Sequence, residues 1–221
     1  LARGYQGQQG DHKALTMKKW INTNYHYLVP EFSKQTDVKL VGDKPVAEYL
    51  EAKALGIETC PVLIGPFTLL KLAKFTAGVV SSDFHGALIG AYSSLLQTLY
   101  AQGCQGVQLD EPALVLDLTH DEQADFSRLY TALFAQTKLP ELYLQTYFGD
   151  VRDVYTQLTA LPFAGIGLDF VEGKRNLELV KQYGFPQDKI LIAGVVNGKN
   201  IWRNHYAKTL TLLKQLPVEA D

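Results

Sequence analysis

The chain has 221 residues, 47% hydrophobic and 20% charged, with a formal net charge of −2 and an isoelectric point near 6.2. That balance is ordinary for a globular protein and excludes a general electrostatic pull toward nucleic acid or an anionic membrane. No apolar run approaches the roughly 18 residues that cross a bilayer and no basic-then-apolar leader opens the sequence, so a cytoplasmic protein is expected.

Residues 1–16 are rich in Gly and Gln without periodicity, and a loop or disordered segment is expected there. Leu at position 1 fits a piece of a longer protein. Next comes "KKWINTNYHYLVPEF", residues 18–32, in which aromatic and polar residues interleave behind two lysines. A core strand would not carry Asn22, Asn24 and His26 so close together. "VAEYLEAKALG" reads as a helix with Val46 and Leu50 four apart and Gly56 as its stop. "CPVLIGP", a short apolar run between prolines, reads as a buried strand. "FHGALIGAYSSLLQTLYAQG" places Leu88, Tyr92, Leu95 and Leu99 on one helical stripe.

The alternation then repeats. "GVQLDEP" reads as a strand. Thr119 and Glu122 stand in capping-box spacing ahead of a helix whose apolar side is Phe126, Leu129, Tyr130 and Leu133. "ELYLQTYF" reads as a strand, "VRDVYTQLTAL" as a helix, "GIGLDFV" as a strand and "NLELVKQYG" as a helix capped by Asn176. "ILIAGVVNG" is the last strand. A helix from 200 to 216, capped by Asn200, closes the chain. Cys60 and Cys104 lie far apart with no CxxC, and both are expected as reduced, buried thiols.

Apolar strands alternating with helices imply a parallel sheet covered by helices. No glycine-rich dinucleotide fingerprint follows the first strand. Polar residues gather where the strands end: Asp110, Glu111, Gln145, Tyr147, Asp169 and Asn197. A (β/α)8 barrel keeps its active site at that end, but it needs eight strands. The expected fold is therefore α/β, an incomplete (β/α)8 TIM-type barrel of about five barrel strands with an N-terminal extension.

Asp110 and Glu111 are the acid candidates. Neighbouring strand residues point to opposite faces, so only one of them faces the barrel interior. Two readings stay open: a carboxylate at the mouth that holds an amine or acts as a base, or one bonded to nearby backbone or lysine. The five histidines show no metal-ligand spacing with each other or with cysteine, and no metal is expected on this chain. No GxSxG or Cys-His signature marks a nucleophile. "NGKN" at 197–200 reads as a tight turn leading into the last helix or, alternatively, as a strand-end contact for a phosphate or carboxylate. A free-standing, glycosidase-like hydrolase would use Asp110 or Glu111 with a partner such as Asp169 across the mouth. A binding domain without chemistry is the other alternative.

"KKWINTNYHYLVPEF", "LIGPFTLLKLAK", "VQLDEPALVLDL", "LQTYF", "GIGLDFV" and "AGVVNGKNIWR" occur in this order. Together they resemble the N-terminal barrel of the cobalamin-independent methionine synthases, over residues 17 to about 213. The resemblance implies transfer of a methyl group from 5-methyltetrahydropteroyl polyglutamate to homocysteine. It also implies a second, C-terminal catalytic barrel as the partner in the same protein, holding zinc through His, Cys, Glu and Cys. The N-terminal barrel would carry no zinc and would help bind the folate's glutamate tail. Residues 17–221 would then lack the first, second and last strands of their barrel. In the family a lysine matching Lys19 contacts the tail. Lys18, Asn22, Asn24, His26 and, in the shared Asp-Glu-Pro motif, Asp110 would lie along the cleft. Where the zinc-bearing copy carries His-x-Cys, this sequence has Gln145-Thr146-Tyr147, which are poor zinc ligands.

Overall fold

A computed structural model describes residue 4 and residues 13–216. A small antiparallel hairpin leads, β1 (Met17–Lys19) against β2 (His26–Leu28). Strand β3 (Glu31–Phe32) pairs in parallel with β5 (Lys74–Phe75). The main sheet is built from β4 (Val62–Ile64), β6 (Gly106–Asp110), β7 (Glu141–Gln145), β8 (Gly165–Asp169) and β9 (Ile190–Gly194). They lie side by side in that order and are all parallel. The helices are α1 (Lys44–Ala54), α2 (Pro66–Lys71), α3 (His85–Ala101), α4 (His120–Phe134), α5 (Tyr155–Ala160), α6 (Arg175–Tyr183) and α7 (Tyr206–Leu213). This is the expected α/β architecture, a run of βα units forming part of a barrel.

The two faces of the sheet differ sharply. Strand side chains alternate between faces. One set, including Val107, Leu109, Leu142, Leu144, Ile166 and Leu168, is buried. It packs in one apolar core with helix residues such as Leu96, Leu99, Phe126 and Leu133. The other set, running through Val62, Gln108, Tyr143, Gly165 and Ile190 in register, forms what would be the barrel interior. That face is open: Val62 and Ile190, on the two outermost strands, are each 56% exposed. Glycine makes the inner face of β8. A Cβ on Gly167 would lie 2.0 Å from Gln145 Oε1, and one on Gly165 would lie 2.8 Å from the Tyr143 ring. Side chains of β7 therefore lie across β8.

Most elements match their sequence signals. Thr119 and Glu122 cap α4 reciprocally: Glu122 N donates to Thr119 Oγ1 at 3.3 Å and Thr119 N donates to Glu122 Oε2 at 3.0 Å. Phe126, Leu129, Tyr130 and Leu133 are all buried. In α3, Leu88, Leu95 and Leu99 are buried while Tyr92 is half-buried.

Other elements differ for physical reasons. In α1 the buried pair is Val46 and Tyr49, three apart, and Leu50 turns outward. Helix α2 was not read from the sequence; it starts at Pro66, a favoured first helical position that shortens β4. Asn176 lies inside α6 and is fully buried. Its amide donates to Asp169 O at 2.7 Å and Gly149 O at 3.3 Å, and its oxygen accepts from Val151 N, so it ties strand-end loops together. Helix α7 begins at Tyr206, because Asn200 closes a turn onto Trp202 N and His205 sits at the cap. Cys60 is exposed, contrary to expectation, because it precedes the outermost strand β4; Cys104 is buried. The expected irregular segment 1–16 falls mainly outside the described residues. Among the described residues, no helix is long and apolar enough to cross a membrane.

Candidate functional site

The C-terminal ends of β6, β7 and β8 bring Asp110, Gln145 and Asp169 to one rim. Asp110 and Glu111 point apart, as strand alternation requires. Asp110 faces the inner side, where Gln108 Nε2 donates to it at 2.8 Å and the Tyr147 hydroxyl at 3.2 Å. Burial raises its pKa, and these two donors oppose the rise. Burial also pushes Tyr147 up, followed by the adjacent Asp110 charge, so the phenol stays protonated and donates.

Glu111 is fully buried between the sheet and the helices. Its carboxylate accepts from Phe67 N at 3.0 Å, Thr68 N at 2.6 Å and Tyr130 Oη at 2.6 Å. Gly65 leaves the space, since a Cβ there would lie 2.1 Å from Glu111 Oε1. Desolvation lifts its pKa to about 7 against those donors. Glu111 thus secures α2 to the sheet and has no path to the mouth.

Asp169 is equally committed. It accepts from Phe148 N at 2.9 Å, Val171 N at 2.7 Å and Glu172 N at 3.0 Å. Phe148 holds the left-handed conformation at φ +71°, uncommon for a bulky side chain.

The "KKWINTNYHYLVPEF" stretch forms the β1–β2 hairpin at one side of the mouth. Lys19 pairs with His26 and Lys18 with Tyr27, so the two lysines project from opposite faces. Tyr27 turns toward the body, donating to Leu72 O at 3.1 Å. Lys19, His26 and Asn24 are exposed, with no side-chain hydrogen bond among the described residues. Asn22 is engaged at both ends of its amide: Nδ2 donates to Glu172 Oε2 at 2.9 Å, and Oδ1 accepts from Lys199 Nζ at 2.6 Å. Lys199 also pairs with Glu172 at 2.9 Å and stands 4.3 Å above the Phe148 ring. The structure therefore brings Asn22 to Lys199 of the "NGKN" turn and to Glu172, a residue with no signal of its own in the sequence. Glu172 sits in the loop after β8. No local pattern links residues 150 and 177 positions apart in the chain.

Among the described residues, no group of three or more His, Cys, Asp or Glu is placed to hold a metal ion. Among the described residues, the mouth offers the carboxylates of Asp110 and Asp169, the amides of Gln108 and Gln145 and the phenol of Tyr147.

The family model for the N-terminal domain of cobalamin-independent synthase matches residues 1–221. The chain belongs to this family. Its relatives include proteins named 5-methyltetrahydropteroyltriglutamate–homocysteine methyltransferase from Streptococcus thermophilus, 59% identical, and Streptococcus sanguinis, 58% identical. Each alignment covers 99% of this chain and 29% of the relative, so the chain spans under a third of their length. A solved B12-independent methionine synthase from Shewanella sp. W3-18-1, in complex with selenomethionine, superposes with a TM-score of 0.65 at 15% identity. That match covers 80% of this chain and 55% of the other and establishes the shared fold. The open five-stranded sheet is thus the partial barrel of a family N-terminal domain.

Proposed function

We propose that the chain is part of the N-terminal barrel of a methyltransferase that moves a methyl group from 5-methyltetrahydropteroyl polyglutamate to homocysteine, giving methionine. In this reading the main sheet supplies the third to seventh strands, and the first, second and eighth come from sequence outside residues 1–221. The partner is the C-terminal catalytic barrel of the same protein, where zinc would activate the homocysteine thiol. This chain's part is to bind the glutamate tail.

The observation that carries the proposal is the placement of Lys19. It stands on an exposed hairpin face beside His26, with no partner among the described residues. The tail presents several carboxylates, and a lysine on a flexible stem meets them as a mobile point charge. Asn24 and His26 add donors nearby. Asn22 is taken up by Glu172 and Lys199 and acts through them.

Two features argue against a free-standing hydrolase. Such an enzyme needs two carboxylates facing one another across about 5 to 9 Å. Asp169 spends its oxygens on three backbone amides, and Glu111 lies behind the sheet. Among the described residues, no three His, Cys, Asp or Glu side chains are grouped to hold zinc, and Gln145 and Tyr147 at the mouth are poor zinc ligands. Elemental analysis of this chain after dialysis should find no stoichiometric zinc; one tightly held zinc per chain would overturn the assignment to the non-catalytic barrel.

The test of tail binding uses the full-length enzyme. Lys19→Ala should raise the Michaelis constant for triglutamate methylfolate about threefold to thirtyfold, the range for a charged contact near solvent. The monoglutamate constant should hardly move. Turnover at saturation should change little, because tail contacts are alike in the ground and transition states. Added salt should shrink the wild-type preference for the longer tail. Equal losses for both substrates would show that Lys19 supports the fold or the pteridine site.

A further inference from the structure

The hairpin that carries Lys19 has little of its own to hold it. Its strands are three residues long and share three register pairs. An isolated two-stranded hairpin is marginal in water. Its base is tied down: Tyr27 Oη bonds Leu72 O, and Lys74 Nζ donates to Thr16 Oγ1 at 2.5 Å. The tip, residues 20–25, closes on itself through Trp20 N to Tyr25 O at 2.7 Å and Thr23 Oγ1 to Trp20 O at 2.6 Å. Ile21, β-branched, is held there at φ +50°, a conformation that surrounding contacts must enforce. Among the described residues, Asn22 makes the tip's hydrogen bonds to charged side chains of the main sheet's loops, and the Trp20 side chain also reaches the Tyr147 hydroxyl.

We propose that Asn22, Glu172 and Lys199 are positioning residues. Together they clamp the hairpin tip to the loops after β8 and β9 and so set where Lys19 stands over the mouth. The inference rests on the tail-binding role of Lys19 proposed above.

The chemistry of the triad is specific. An amide presents a donor to the carboxylate and an acceptor to the ammonium in one rigid plane; aspartate in its place would repel Glu172. Glu172 and Lys199 also neutralise one another, and the hydrogen bond from Lys199 holds the Glu172 carboxyl below its usual range. Their side chains are 30% and 32% exposed, so the pair is partly shielded from solvent screening.

Both partners are themselves fixed from behind. Asp169 accepts from the backbone of Glu172 and of Phe148, and the Phe148 ring lies under the Lys199 ammonium. Lys199 N also donates to Asn197 Oδ1 at 2.9 Å, which shapes the turn that delivers it. The clamp therefore couples the hairpin to a rigid strand end at β8.

The test is made in the full-length enzyme with Asn22→Ala, Glu172→Lys, Lys199→Glu and the double charge reversal. Hydrogen exchange at residues 20–25 reads the clamp directly. The ratio of Michaelis constants for monoglutamate and triglutamate methylfolate reads its effect on Lys19. Each single change should speed exchange at the tip and cut the ratio about twofold to tenfold, the range for losing a partly exposed polar contact. The double reversal restores the ion pair, and the Asn22 amide can turn over to serve it, so it should recover part of both losses. A general loss of folding would not alter the ratio or be repaired by a second charge change. Unchanged exchange at the tip would overturn the clamp, whatever Lys19 does. Faster exchange with an unchanged ratio, while Lys19→Ala still lowers it, would overturn the positioning role alone. If Lys19→Ala itself leaves the ratio unchanged, the tail-binding reading falls and the positioning role falls with it.

Discussion

Replacing Glu111 by alanine should destabilise the barrel by about 3 to 5 kcal/mol, the cost of leaving buried donors without an acceptor. Three donors would be stranded at once: the backbone amides of Phe67 and Thr68 and the Tyr130 hydroxyl. The first two open α2, so this helix should detach from the sheet. Glu111→Gln keeps the shape but should still cost about 2 kcal/mol. The two backbone amides address different oxygens of the carboxylate, and whichever way the amide turns, its NH2 meets an N–H. Urea unfolding of the purified full-length variants checks the order: wild type, then Gln, then Ala. Equal midpoints for all three would contradict the network.

The same residue sets a pH dependence. Burial lifts the Glu111 pKa to about 7 from its ordinary 4.5, so the folded protein retains a proton that the unfolded chain releases between those values. Its contribution is full below pH 4.5 and is lost as pH rises through 7. The wild-type midpoint should therefore fall between pH 5 and 8 by more than the Glu111→Gln midpoint does. A parallel fall in both would assign the pH dependence to other groups.

The second large effect concerns the open sheet. On its own, residues 1–221 should not give a monodisperse, cooperatively melting monomer. Strands β4 and β9 each have one neighbour, leaving a free edge on both sides. Such edges template pairing with other chains. The inner face adds Val62, Ile64, Ile190 and Ile192, all exposed. Covering four partly exposed aliphatic side chains stabilises by on the order of 4 kcal/mol, enough to drive association when the covering strands are missing. Light scattering after size exclusion would show multimers or aggregate. Supplying the flanking sequence in the same polypeptide should restore a single species. A monomer of residues 1–221 that melts cooperatively would count heavily against a partial barrel.

The sequence carried the layer architecture because that architecture is periodic. Phe126, Leu129, Tyr130 and Leu133 lie at helical spacing and all reach the core, and the Thr119–Glu122 box is a local device that tertiary packing left intact. What escaped was set by distance. Asn176 has the residue type of a helix cap, yet three partners from other loops draw it inside. Asn200 satisfied a turn before it could start a helix. Helix α2 did have a signal, a proline following Gly65, hidden by reading the apolar run as one strand. At the site, the opposite directions of Asp110 and Glu111 followed from strand alternation. The bond from Lys199 to Asn22 had no trace in the chain, because it joins two polar turns whose separate sequences each look like solvent-facing loops.

The glycines of β8 carry a consequence for redesign. Since Gly165 and Gly167 contribute no side chains inside, the lining over two strands belongs to Tyr143 and Gln145 of β7 alone. Gly106 stands on the other flank of the same ring, where a Cβ would lie 2.7 Å from it. Trimming Tyr143 would therefore bare backbone between Gly106 and Gly165, with the Gln108 side chain at its edge. The one ring of Tyr143 thus fills space that Gly106 and Gly165 on its two neighbouring strands leave for it.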